Sequence, residues 1–419
     1  MGRRVWRHLW PSAPQAALAM LGGDGGPVEP PIRAEIFGPQ RFAQHGHSLA
    51  ATHEAAPAGW RSAAFFPRLA DNVRQLRAAH HYIVAQAAAG YDVSPAAEWL
   101  LDNFHLIETQ LERIHLELPR RTVRALPVLL SPPLAGLPRI YGVAWAFVAH
   151  TDGAFDEDLL VHYLGAYQEV RDLSLAEMWA LPTTLRVLLL ENLRRLAERE
   201  AGFASTFPDS LESSLDITPP ADELADAAMV DALRAWLRPL QQRGVGTVFL
   251  ARLSQRLLEQ PVPAAVRHWL DQALPDPAVV QAQQGADQAA DNLSMSNAVN
   301  SLRAIGDADW ADLVARASVL MRLMLSTPLF EAEQAGTRDQ TLHAIEGLAR
   351  RSGRSELAVA RVLLGLMQAA QPARDTAAET PPGTEPSRTP GHWLHGAGRP
   401  ALTQALGLHE PLAGLWRHI

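Results

Sequence analysis

The stretch Ser94 to Pro119, SPAAEWLLDNFHLIETQLERIHLELP, specifies its own beginning, buried face and end. Ser94 can accept a hydrogen bond from a first-turn N–H, Pro95 has the φ of a first helical position, and Pro119 lacks the N–H that would continue a helix. Between them Leu100, Phe104, Ile107, Leu111, Ile114 and Leu118 recur at helical spacing, which lines them along one side. Trp99, Asn103, Leu106 and Gln110 flank that stripe, and Glu98, Asp102, His105 and Glu112 fall further round. A long helix with such a face needs partners of its own kind.

The rest of the chain supplies them. Residues 1–30 end in a Gly/Pro-rich run that reads as a flexible segment. Gly38-Pro39 opens a helix to about His53, Pro67 opens another that stops at Gly90, and Arg139 to His150 is apolar almost all round, as in the middle of a bundle. Asp156 to Val170 follows. Ser174 and Glu177 then form a capping box at the head of a helix to about Glu200. Helices are expected over 224–242, 247–259, 264–274, 277–304, 309–325, 338–351 and 356–369, with a further capping box from Thr337 and Gln340. The reading is an all-α protein of two irregular multi-helix blocks, bundle or solenoid-like. Helical domain 1 spans 31–200, an acidic linker 201–220, helical domain 2 221–370, a disordered linker 371–390, and a short C-terminal helical docking segment 391–419. No set of alternating β-branched runs predicts a substantial sheet.

Composition narrows the function classes. The 419 residues carry a formal charge of −8, which gives no overall positive field for nucleic acid. With no cysteine, disulfides, thiolate metal sites and a cysteine nucleophile are excluded. The lack of cysteine suits a reducing compartment, with the cytoplasm as the default, and no run approaches the ~20 apolar residues that cross a bilayer, so a soluble chain is expected.

Several segments, in order, resemble the N-terminal region of the bacterial cyclic β-1,2-glucan synthases. They are PIRAEIF at Pro31 to Phe37, AAEWLLDNFHLIETQLERI from Ala96, PRIYGVAWAFVAHTD from Pro138, AYQEVRDLSLAEMWALPTTLRVLLLENLRRLA from Ala166, AADNLSMSNAVNSLRAIGDADWADL from Ala289, and GRPALTQALG from Gly398. The resemblance implies membrane-bound glycosyltransferase modules as partners, UDP-glucose as their donor, β-1,2-glucan as a further ligand, and a place at the cytoplasmic face of the inner membrane. It does not bring a transferase, cyclisation or phosphorylase-like module with it. The end at Ile419 reads as a chain that stops at a junction, through a gene split, a truncation or as an independent accessory protein. The expectation is a non-catalytic scaffold or regulatory portion with no catalytic residues, cofactor or metal of its own.

Two alternatives come from particular residues. A stand-alone all-α carbohydrate enzyme would use paired carboxylates as acid and base or nucleophile, and Asp102, Glu108, Asp156 and Glu177 are the candidates. Asp156 and Glu177 also sit where helix N-termini favour negative charge, which is the plainer reading. A β-glucan-binding module would use flat rings from Trp99, Tyr141, Trp145, Trp179 and Trp310 with polar contacts from Asn103, Arg139 and Gln168, although aromatics at helical spacing are more often core. The single Glu112-x-x-His115 lacks the second copy of a di-metal bundle. The pairs Asp156/Asp158 and Asp307/Asp309 lie at helix starts rather than after strands, unlike sugar-nucleotide metal sites. Arg120, Arg121 and Arg124 suit phosphate or anionic lipid headgroups, or more simply a helix C-terminus.

Overall fold

A computed structural model describes residues 33–57, 64–89, 93–205, 230, 231, 234, 264–273, 277–370 and 386–408. These form sixteen α-helices and one antiparallel two-stranded ladder, so the chain is all-α. The helices are α1 (Pro39–Thr52), α2 (Phe65–Ala88), α3 (Pro95–Glu117), α4 (Arg120–Arg124), α5 (Arg139–His150), α6 (Glu157–Val170), α7 (Leu175–Ser205) and α8 (Ala264–Ala273). They continue with α9 (Pro277–Asp307), α10 (Trp310–Ala317), α11 (Val319–Leu325), α12 (Pro328–Glu331), α13 (Ala335–Ser352), α14 (Glu356–Ala369), α15 (Pro390–Leu394) and α16 (Arg399–Ala405). The strands β1 (Ala55–Ala56) and β2 (Val128–Leu129) pair Ala55 with Leu129.

Helix α3 begins as its sequence demands, with Ser94 Oγ accepting the Ala97 N–H at 3.1 Å. Its buried arc is wider than the apolar stripe. Phe104 is half-buried and stacks on His80, while Asn103 and Gln110 are inside. The reason is that α3 packs against α2, α7 and α9 rather than one partner. Helix α7 is the axis of this first core and touches α2, α3, α5, α9 and α10. It contains Pro182 in its interior, which removes one backbone donor from the helical ladder. Helix α1 lies across α6 so closely that a Cβ at Gly46 would meet Tyr163 O at 3.1 Å and Tyr167 N at 3.2 Å.

A second core gathers Leu320, Met324, Phe330, Ile345, Val359 and Leu363 with Trp393, Leu394, Leu402 and Leu406, so α15 and α16 pack on α11 to α14. Leu175 and Met321 pack against both cores. Within 221–370, α9 and α10 contribute to the first core and α11 to α14 to the second. The helix expected over 224–242 is described only at 230, 231 and 234, and that over 247–259 lies outside the described residues, as do 1–30, 206–220, 371–385 and 409–419.

Two sequence expectations are corrected. The helix expected over 309–325 is broken at Ser318, which is fully buried and N-caps α11 through the Met321 N–H. Helix α13 starts at Ala335, a turn earlier than expected, behind an extended Gln334, so the Thr337/Gln340 capping box does not form.

Candidate functional site

Among the described residues, three clusters of buried polar side chains are each built from elements distant in sequence. The first is centred on Glu191 in the middle of α7. Its Oε1 accepts from Arg68 at 2.6 Å and from Arg195. Its Oε2 accepts from Arg68 Nε at 2.9 Å, Asn72 Nδ2 at 3.0 Å and the Tyr141 hydroxyl at 2.6 Å. Burial alone would raise this carboxyl. The Arg68 hydrogen bonds and the charges of Arg195 and Arg68 outweigh it and hold the group at about 2. Burial and the Glu191 charge push the Tyr141 phenol up. A glutamate surrounded this way stays ionised well into the acid range and ties α2, α5 and α7 together.

The second cluster lies at the head of α7. Glu177, 0% exposed, takes a bidentate contact from Arg139 at 2.8 and 2.6 Å. It also accepts from the Ser174 N–H and hydroxyl, each at 2.9 Å, while Ser174 Oγ accepts the Glu177 N–H at 3.3 Å. The capping box is therefore present, and its glutamate does double service. Arg139 also donates to Asp172 O at 2.9 Å. Burial works against the Arg139 charge, and the Glu177 charge and hydrogen bonds overcome it and raise its affinity for the proton. From α14, Glu356 Oε2 accepts the Leu175 N–H at 2.7 Å and Ser355 Oγ donates to Asp172 at 2.8 Å.

The third cluster joins the end of α5 to α9. Asp152, with a left-handed φ of 51°, accepts from Ser294 Oγ at 2.5 Å, and its carbonyl accepts from Asn297 at 3.2 Å. Burial raises the Asp152 carboxyl. Nearby, Asp291 is gripped by Arg33 and by Arg199 at 2.7 Å.

The candidate acids fall into four environments. Asp102 is exposed on α3. Glu108 makes a bidentate surface pair with Arg77 at 2.8 and 2.6 Å, which lowers its proton affinity. Asp156 caps α6 through the Leu159 N–H at 2.8 Å. Glu177 is enclosed with Arg139.

The candidate sugar contacts are also dispersed. Arg139 and Tyr141 belong to the first two clusters. Asn103 donates to Trp99 O at 2.9 Å and accepts from Arg303. Gln168 bridges the break between α10 and α11, donating to Ala317 O at 2.8 Å and accepting the Val319 N–H at 3.3 Å. Trp99 is half-buried against the core, and Trp179 is 49% exposed. Of the aspartate pairs, Asp158 meets Arg316, and Asp309 caps α10 through the Ala311 and Asp312 N–H groups. His115 Nδ1 lies 2.7 Å from Leu111 O. Among the described residues no group of three or more histidine, aspartate or glutamate side chains could hold a metal.

Sequence reasoning missed Glu191, Arg68, Asp152 and Glu356. For Glu191 the signal was a single acid within the apolar run LRVLLLENLRRLA. For Glu356 there was none, because its partner is 181 residues away.

The fold and its clusters define an all-α helical module whose buried acids position helices. No family model matches the chain. It is, however, 31% identical over 387 residues to the cyclic beta-(1,2)-glucan synthase NdvB of Rhizobium meliloti (strain 1021), a match that covers 90% of this chain and 13% of that synthase. The chain is thus a relative of the cyclic β-1,2-glucan synthases and corresponds to an N-terminal-like region, as the resemblance implied. The segments that carried the resemblance meet in space. Those from Pro138 and Ala166 join at Arg139–Glu177, those from Pro138 and Ala289 at Asp152–Ser294, and those from Pro31 and Ala289 at Arg33–Asp291.

Proposed function

We propose that this chain is a non-catalytic scaffold or regulatory surface for membrane-bound β-1,2-glucan synthesis. It works at the cytoplasmic face of the inner membrane beside glycosyltransferase modules that use UDP-glucose. The observation that carries the reading is a match over nine-tenths of this chain to barely an eighth of a much longer synthase. The use of Glu177 and Glu191 supports it, since both carboxylates are consumed in holding helices. Among the described residues no helix is long and apolar enough to cross a membrane, so the reading gives this chain an attached role. Membranes carrying a synthase stripped of its matching region should regain glucan output from UDP-glucose when this chain is supplied. Output that is the same with and without the chain overturns the proposal.

A further inference from the structure

The second cluster fills the buried side of the first turn of α7, and the exposed side of that end, beside the C-terminus of α3, lies outside all three clusters. The two helices run antiparallel. Ser94 Oγ donates to Glu200 at 2.5 Å near one end, and Thr183 Oγ1 donates to Glu117 at 2.9 Å near the other. At the Glu117 end Leu116 is 80% exposed, and Trp179, one turn ahead of Thr183, is the exposed tryptophan of an otherwise enclosed stretch of α7. Helix α4 follows directly and exposes Arg120, Arg121 and Arg124.

Charge at this end runs against that of the chain, which is −8 overall. Arg120 lies over the Phe66 ring at 5.4 Å, and among the described residues none of the three arginines forms an ion pair. The acids of the stretch are Glu112, which is exposed, and Glu117, which is held by Arg186 and Thr183. Water gains nothing by covering a leucine and an indole, and an acidic protein surface would answer the arginines while leaving Leu116 and Trp179 against charge. An anionic bilayer satisfies both, with phosphates for the guanidinium groups and the headgroup boundary for the two apolar side chains.

We propose that this end rests on an anionic lipid surface, with Leu116 and Trp179 at the headgroup boundary and Arg120, Arg121 and Arg124 on lipid phosphates. The inference deepens the scaffold reading by naming the surface that meets the membrane. The test is flotation of the full chain with vesicles of phosphatidylglycerol and phosphatidylcholine, against phosphatidylcholine alone. The chain should float with the anionic vesicles only, and less as salt rises. The combined Arg120→Gln, Arg121→Gln and Arg124→Gln variant should bind about a hundredfold more weakly, at roughly fivefold for each arginine. Leu116→Ser should weaken binding with the salt dependence unchanged. Quenching of tryptophan emission by brominated lipid should fall in Trp179→Phe. All five positions are exposed, and circular dichroism confirms that each variant is folded. Failure to float with anionic vesicles, equal flotation with phosphatidylcholine, or a triple variant that floats like the parent overturns the proposal. A chain that floats yet does not restore glucan output sinks the scaffold reading alone.

Discussion

Glu356 caps a helix to which it does not belong: its Oε2 accepts the N–H of Leu175, the first residue of α7, at 2.7 Å. Together with the Ser355–Asp172 hydrogen bond and the Gln168 bridge, this contact joins the two cores. Each of these links is polar and sits on a helix terminus, where backbone groups are otherwise unpaired.

Stability should therefore depend on pH through Glu356. Burial raises its carboxyl to about 7; the Leu175 N–H works against the shift, Glu346 and Glu177 add to it, and Arg350 opposes it. An acid whose folded value lies above its unfolded value of 4.5 stabilises the fold fully below that pH and loses its contribution as pH rises through about 7. Glu356→Gln keeps an oxygen for Leu175 and cannot ionise. Relative to this variant, the parent should lose roughly 2 kcal/mol between about pH 5 and about pH 8 in denaturant titrations. Parallel curves for the two proteins would remove the explanation.

Glu191 should behave in the opposite sense. Its contribution is present above 4.5 and is lost as pH falls through about 2. Replacing it with alanine takes the shared carboxylate away from Arg68 and the buried Arg195, which costs up to about 3–5 kcal/mol. Chemical denaturation of Glu191→Ala checks this, and a loss below about 1 kcal/mol contradicts it.

At Gly46 the close approach of α1 and α6 would hold a methyl group tighter than ordinary contact. The obstructing atoms are backbone, so Gly46→Ala must push the helices apart at about 1–3 kcal/mol. Thermal melts should show a lower midpoint, whereas Gly165→Ala, on the open side of α6, should stabilise by up to about 1 kcal/mol.

The break at Ser318 depends on Gln168. Gln168→Leu keeps the volume but leaves Ala317 O and the Val319 N–H without their side-chain partner, at about 1–3 kcal/mol for each buried group left unpaired. Hydrogen exchange at Val319 should accelerate more than at Leu100 in the centre of α3. Equal acceleration at both would mean that the whole fold, and not the break, had loosened.

How much of this was legible in the sequence follows from the range of each interaction. Ser94, Asp156 and the Ser174–Glu177 box cap through partners within three residues, and all were readable. The stripe on α3 was readable too, but its width was not, because Asn103 is buried by Arg303, 200 residues away. Ser318 looked like a helix interior position because the chain around it is apolar, and the residue that stitches the break comes from α6. Arg139 and Glu177 were both singled out, one for sugar contact and one for acid chemistry. No local signal revealed that they are partners.

The antiparallel clasp of α3 and α7, fastened by Ser94 with Glu200 and by Glu117 with Thr183, has a mechanical consequence. At 1.5 Å per residue the two fastenings are roughly 25 Å apart along α7 and roughly 35 Å apart along α3. Two helices pinned near both ends cannot slide past one another without breaking one of the fastenings. The Leu116 tip of α3 therefore keeps its register against the first turns of α7.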